Sequence, residues 1–384
     1  MLGVLTFARI SMGFQFQSVG AVSVPLMARL GVGSTELGIL VGLFSLPGMV
    51  LALPGGLLGE RFGDRRVVLL GLALMVVGSG LIGLSNAFAA VMLGRFLTAV
   101  GAVLLNVLVT KMVADWFSGR EIVWAMSILI NSWPLGIGLA LFTLPSVARA
   151  WGVGSAFYLA AAVAAVAWAA VVAGYRPRAT PSVTLTQAAL TRRETARVSG
   201  AAVPWTLYNV GYSVALTFVP LLLVSQGSSL EQAGLVMGIY TVLIVASVQA
   251  GGAIAQWLPR PHAIVACGLV ALTIALAALP FAPFAAILLL GGLLGGLPAG
   301  ALVSAPAPLL RAESRARGMG VFYTWYYAGM AALPPVAGWL QDRFGGGTAV
   351  HFAALMILAT LPAYLLVPLP AAGRAIGPSS PRAA

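Results

Sequence analysis

Apolar positions along this chain come in long, nearly unbroken runs. Each run of about 20 residues is long enough to cross a hydrocarbon core of roughly 30 Å as a helix. The runs do not alternate as the strands of a membrane barrel do. They predict helices over residues 4–28, 37–59, 67–85, 88–114, 122–145 and 153–174, then over 202–225, 231–257, 262–280, 284–309, 319–340 and 348–368. A polar, Arg-rich stretch from Tyr175 to about Gly200 separates the two sets, and the tail after Pro370 is rich in Pro, Ala, Gly and Ser. The expected fold is therefore all-α and integral to a membrane: twelve transmembrane helices in two pseudo-symmetric six-helix bundles. The bundles are residues 1–174 and 201–370, with a cytoplasmic connector at 175–200 and a disordered cytoplasmic tail at 371–384.

Composition supports that pattern. Of 384 residues 60% are apolar and 8% charged, and the mean hydropathy is +1.00. A soluble domain carries roughly a quarter charged residues, so there is too little charge here to coat a water-facing surface. The net charge of +12 does not point to nucleic acid, because the basic residues are dispersed between apolar runs and form no stripe or arm. The single cysteine, Cys267, has no partner for an intramolecular disulfide. The first apolar run has no basic region before it and is expected to be retained as a span.

Charge does fix an orientation. With the N-terminus inside, the inner loops hold Arg61, Arg65, Arg66, Arg120 and the arginines of the connector, then Arg260, Arg311, Arg315 and Arg317. The other side holds only Arg29, Arg149 and Arg343. That asymmetry predicts an even number of spans with both termini cytoplasmic, in a cell inner membrane. A shift of 196 residues aligns Gly38 with Gly234, Gly42 with Gly238, Gly55 with Gly251 and Gly56 with Gly252. It pairs span 2 with span 8, as an internal repeat would.

The densest motif follows span 2: Gly55-Gly56-Leu57-Leu58-Gly59-Glu60-Arg61-Phe62-Gly63-Asp64-Arg65-Arg66. It is a tight turn carrying opposite charges, in which Gly63 permits the turn and Glu60 can meet a helix N-terminus or an arginine. This stretch resembles the signature loop between spans 2 and 3 of the major facilitator superfamily. Gly56, Arg61, Gly63, Arg65 and Arg66 match its outline, Glu60 stands where Asp is usual, and Asp64 stands where a basic residue is usual. The resemblance implies a gating role for Gly56, Glu60, Arg61, Gly63, Arg65 and Arg66. The alternative is a solvated positive-inside loop.

Span 4 carries Gly94-Arg95-Phe96-Leu97-Thr98-Ala99-Val100-Gly101-Ala102, which resembles the superfamily's second motif. An arginine about 10 Å inside the membrane is costly unless it faces protein or water. Arg95 is therefore expected to face a central cavity and bind an anion, or else to snorkel or bond neighbouring carbonyls. In span 5, Asn131 precedes the Ser132-Trp133-Pro134-Leu135-Gly136 stretch, and it either faces substrate or bonds a neighbouring helix. Gln15 and Gln17 in span 1 lie roughly 200° apart around a helix, so only one can face a central cavity, and Gln17 is preferred by depth. Tyr208, Asn209 and Tyr212 in span 7, with Tyr240 in span 8, complete the substrate candidates. Tyr323, Trp325, Tyr326 and Tyr327 in span 11 read as an interfacial aromatic belt, and Arg9 as a headgroup contact.

The acids, from Glu36 to Asp342, all fall at predicted helix ends or loops, so no central carboxylate awaits a cation. No nucleotide motif, catalytic set or metal-ligand group appears. The resemblance, loosely to the branch of cyanate, nitrate and related small-anion porters, implies a secondary active transporter working by alternating access. The expected substrate is a small organic or inorganic anion, the only other partner is the lipid bilayer, no cofactor is needed, and the protein is monomeric and not an enzyme. Efflux of neutral or lipophilic compounds is the alternative within transport. A non-transporting receptor or scaffold is the alternative outside it.

Overall fold

The structure, a computed structural model, describes residues 1–51, 54–117, 120–176, 189–257, 261–281 and 285–368. Among these every regular element is helical. The α-helices in chain order are α1 (Leu2–Ala21), α2 (Ser23–Leu30), α3 (Ser34–Leu43), α4 (Gly48–Leu51), α5 (Pro54–Phe62), α6 (Asp64–Leu84), α7 (Phe88–Trp116) and α8 (Arg120–Trp151). Then come α9 (Val153–Gly174), α10 (Arg192–Ser225), α11 (Leu230–Trp257), α12 (Pro261–Ala278), α13 (Ala285–Gly295), α14 (Ala299–Ser304), α15 (Arg315–Phe344) and α16 (Thr348–Leu365). Nine stretches among the described residues are long and apolar enough to cross a membrane, and a tenth apolar helix, His262–Ala278, is shorter.

Three of the expected spans are broken, each beside proline or glycine. The first divides at Val22, three residues before Pro25. The second divides around Pro47, which has no N–H to give and so interrupts the ladder. There the Phe44 amide reaches Val41 rather than Leu40, and the Ser45 amide reaches Gly42. The tenth divides at Leu297–Pro298. The seventh instead begins earlier than expected. Thr191 and Glu194 form a capping box, so the end of the presumed connector is the first turns of α10. Residues 177–188, the middle of that connector, and the tail at 371–384 lie outside the described residues.

Packing sorts the helices into two sets. In one, α1 packs on α8 and α9, α6 on α7 and α9, and α8 on α9. In the other, α10 packs on α15 and α16, α12 on α13 and α16, and α11 on α13. The sets meet chiefly where α3 crosses α15 and where α8 crosses α11, with smaller contacts of α10 against α1 and α2. The α3–α15 crossing is backbone against backbone. A methyl group at Gly38 would overlap the Pro334 carbonyl, and one at Gly338 would overlap the Ser34 carbonyl. Small residues permit that approach, where dispersion and close packing replace the hydrophobic effect that lipid cannot supply.

Candidate functional site

Arg95 on α7 is buried, 1% exposed. Its Nε donates to the Leu40 carbonyl at 3.0 Å, and its two terminal nitrogens donate to the carbonyls of Gln15 and Phe16 at 2.8 Å each. Leu40 is the carbonyl that the Phe44 amide leaves free at the break after α3. The Phe44 ring then covers the guanidinium, 4.4 Å from its centroid. All of these partners belong to the first helix set. The expectation that Arg95 faces a central cavity is therefore corrected: its charge is compensated by three carbonyl dipoles and an aromatic face, and it ties α7 to α1 and α3.

The two glutamines of α1 do diverge. Gln15 donates to the carbonyls of Met75 and Ala160, both at 3.2 Å, within the first set. Gln17 donates to the Leu216 carbonyl of α10 at 2.9 Å, across the boundary between the sets. Asn131 also faces that boundary, accepting from Gln249 of α11 at 3.1 Å. Gln249 carries no motif, and only the α8–α11 crossing reveals it.

The second set presents an aromatic face. Tyr208 donates its hydroxyl to the Gly295 carbonyl at 2.8 Å, and the Asn209 amide turns back to the Trp205 carbonyl. Tyr212 stacks on Tyr240, with ring centroids 6.3 Å apart. Trp205 stacks on Tyr208 at 6.2 Å and on Tyr326 at 6.3 Å. Tyr326 in turn meets Tyr323 at 6.1 Å and Tyr327 at 5.0 Å. The belt reading of span 11 is thus corrected: Trp325 is exposed, whereas the three tyrosines turn inward as a cluster. Spacing carries this signal, because Tyr323, Tyr326 and Tyr327 are i, i+3, i+4 on one helical face and Trp325 is not.

In the loop after α5, Gly63 has φ +89 and N-caps α6. Asp64 pairs with Lys111 at 2.9 Å, and Arg65 donates to the Val172 carbonyl at 2.7 Å. Glu60, Arg61 and Arg66 are exposed, and the surroundings of Gly56 lie outside the described residues. At the same end, Glu194 binds Arg311 through both carboxylate oxygens, at 2.9 and 3.0 Å, and accepts from Ser314 at 2.8 Å. At 34 residues α10 is about 51 Å long, so its arginine-rich first turn stands beyond a roughly 30 Å core. There the Arg311 guanidinium, with Thr191 and Ser314, holds the Glu194 carboxyl well below the usual carboxylate range.

The opposite end carries two connections between the sets. Asp342, in the last turn of α15, caps α3 by accepting from the amides of Ser34 and Thr35 at 2.8 and 2.7 Å and from the Thr35 hydroxyl at 2.6 Å. Arg149 of α8 pairs with Glu231 of α11 at 2.6 Å. Neither was legible in the sequence, because each pair is brought together only by a helix crossing.

The sequence profile of the Major Facilitator Superfamily matches residues 5–334 and again 206–382. The chain belongs to the Major Facilitator Superfamily. Its nine membrane-length apolar stretches among the described residues fit that family. Among curated superfamily members it is 28% identical over 138 residues to the inner membrane transport protein YajR of Escherichia coli, covering 36% of this chain and 30% of that one. It is 26% identical over 183 residues to the probable anion transporter 7 of Oryza sativa, covering 46% and 42%. It is 30% identical over 117 residues to the quinolone resistance protein NorA of Staphylococcus aureus, covering 29% and 30%. The matched stretches thus span less than half the length of these relatives. In three dimensions the chain resembles a bacterial homologue of the human lysosomal transporter Spinster in an inward-facing, occupied conformation, with a TM-score of 0.79, 13% identity, and coverage of 95% and 96%. At that identity the likeness is one of fold.

Proposed function

We propose that this superfamily member works by alternating access between two six-helix bundles, residues 1–174 and 201–370, and carries a small organic or inorganic anion. One observation carries the two-bundle reading. Numbering the twelve runs in order, the contacts of spans 1–5, 1–6, 3–4 and 3–6 recur as 7–11, 7–12, 9–10 and 9–12, while the crossings 2–11 and 8–5 exchange with each other. That recurrence supports two repeats related by a pseudo-twofold axis. The positive-inside asymmetry orients the termini to the cytoplasm of a cell inner membrane. The Asp342–α3 and Arg149–Glu231 connections then close the outer end. Two-state exchange requires them to break.

The anion reading rests on the carboxylates. All nine lie at helix ends or in short turns, so none stands midway along the seam. Gln17, Asn131, Tyr208, Asn209, Tyr212 and Tyr240 supply polar and aromatic contacts there. Arg95 acts through the wall it holds together. Glu60, Arg61, Gly63, Arg65 and Arg66, with Gly56, form the inner gate loop. The likeness to NorA and the aromatic seam favour a second reading, efflux of neutral or lipophilic compounds. The small-anion porter branch remains the family relation we favour.

Spin labels test the mechanism. With Cys267 replaced by serine, labels at Asn86 and Ser229, on outer loops of the two bundles, are expected to show a short-distance population and a longer one in lipid nanodiscs. Asp342→Asn should enrich the longer one. A single unchanging distance in both proteins would exclude alternating access.

A further inference from the structure

Two buried hydrogen-bond donors border the tyrosine cluster of α15 without an acceptor. The Nε of Arg9, on α1, is buried and has no hydrogen-bond partner among the described residues. The indole Nε1 of Trp205, on α10, is likewise buried and without one. Arg9 lies within electrostatic reach of Tyr323 and Tyr327. Trp205 stacks on Tyr326, which contacts both of those tyrosines. No carboxylate pairs with Arg9 among the described residues. The contrast with Arg95 is direct, since every nitrogen of that guanidinium donates to a carbonyl. A guanidinium whose Nε is buried with neither counter-ion nor carbonyl is costly, and buried donors are otherwise nearly always satisfied.

Arg9 and the three tyrosines are only part-buried, so the place stays open to a solute. What fits is a ligand with oxygen acceptors at one end and an apolar body at the other. A carboxylate matches the planar fork of a guanidinium. The rings, linked at 5.0–6.3 Å from Tyr327 through Tyr326 to Trp205, form an aromatic corner beside it: Tyr326 lies face to face with Trp205 at 29° and edge-on to Tyr327 at 67°.

We propose that Arg9 binds the carboxylate of an amphiphilic monocarboxylate whose apolar body lies on Tyr323, Tyr326, Tyr327 and Trp205, with Trp205 Nε1 donating to a ligand oxygen. This site rests on the transport reading, and it deepens it by naming a substrate class and the residues that select it. Because its groups come from α1 on one side and α10 and α15 on the other, a bound carboxylate bridges the two bundles.

The test uses the full-length protein in nanodiscs and a panel of acetate, octanoate, benzoate and indole-3-acetate, each beside its neutral amide. Binding is read by thermal shift, which reports a ligand that stabilises the folded state. The larger carboxylates are expected to bind at least tenfold more tightly than acetate and than their own amides. Arg9→Gln should lose that preference, Arg9→Lys should keep much of it, and Trp205→Phe, which keeps a ring but loses the donor, should weaken it severalfold. Equal binding of amides and acids, binding of no carboxylate, or an Arg9→Gln protein that keeps the preference overturns the site. The Asn86–Ser229 distances are recorded on the same samples. Two exchanging populations without carboxylate preference sink the Arg9 site alone, whereas a single fixed distance sinks alternating access.

Discussion

Two arginines on helices of the first set, Arg95 on α7 and Arg9 on α1, have opposite surroundings. Arg95 sits deep in α7, each of its three nitrogens donating to a carbonyl and an aromatic face covering the group. Arg9 sits nearer the end of α1, and its buried Nε has no partner among the described residues. Depth alone would make Arg95 the functional residue. Partner accounting reverses the ranking: the compensated guanidinium has no use for a ligand, whereas the proposed Arg9 site has a buried donor left for one.

The largest expected effect that would break this comparison is on Arg95. Arg95→Gln leaves up to three carbonyls short of a donor and should destabilise the folded protein by about 3 kcal/mol, measured as denaturation in detergent. Carboxylate binding by the protein that remains folded should be unchanged. If stability held and binding vanished, the two arginines would exchange roles. Next, Gly338→Leu drives a side chain into the Ser34 carbonyl. It should pry α3 from α15 at a cost of about 1–3 kcal/mol, seen as loss of the short Asn86–Ser229 distance.

The tyrosines sharpen the same contrast with smaller effects. Tyr208 spends its hydroxyl on Gly295, so Tyr208→Phe should cost about 1 kcal/mol. Tyr240 Oη has no partner among the described residues, so Tyr240→Phe should be neutral or slightly stabilising in the same denaturation assay. Arg149→Gln should move stability by less than about 0.5 kcal/mol, since Arg149 is 78% exposed and such pairs are screened.

The smallest effect concerns pH. The Glu194 carboxyl is held below its ordinary range by Arg311. Its contribution is therefore present above the unfolded carboxylate value of about 4.3 and is lost only as pH falls through the lower folded value. Melting temperature should show no Glu194-dependent change on acidification from about pH 8 to about pH 5, tested by comparison with Glu194→Gln.

Much of the architecture was legible in the chain, and the reasons are local. An apolar run of about 20 residues has few alternatives to a membrane helix, because lipid offers no partner for unpaired backbone groups. The loop Gly59–Arg66 declared its turn through Gly63, which indeed adopts a positive φ. Boundaries failed where a cap outweighed composition, as at Thr191–Glu194, whose capping box carries α10 into a stretch read as connector.

Side-chain roles divided along a different line. Helical spacing separated Gln15 from Gln17, and it contained the inward face of Tyr323, Tyr326 and Tyr327. What no spacing contained was which carbonyl a helix break would free for Arg95, or which helix would cross Asn131, Asp342 and Glu231. The sequence by itself determined the membrane helices, the charge asymmetry and the superfamily, because each follows from short-range pattern and the transfer of residues from water to lipid. Only the tertiary structure decided which buried polar groups are satisfied and which stand open at the seam, because hydrogen-bond partners depend on contacts between residues as far apart as Ser34 and Asp342.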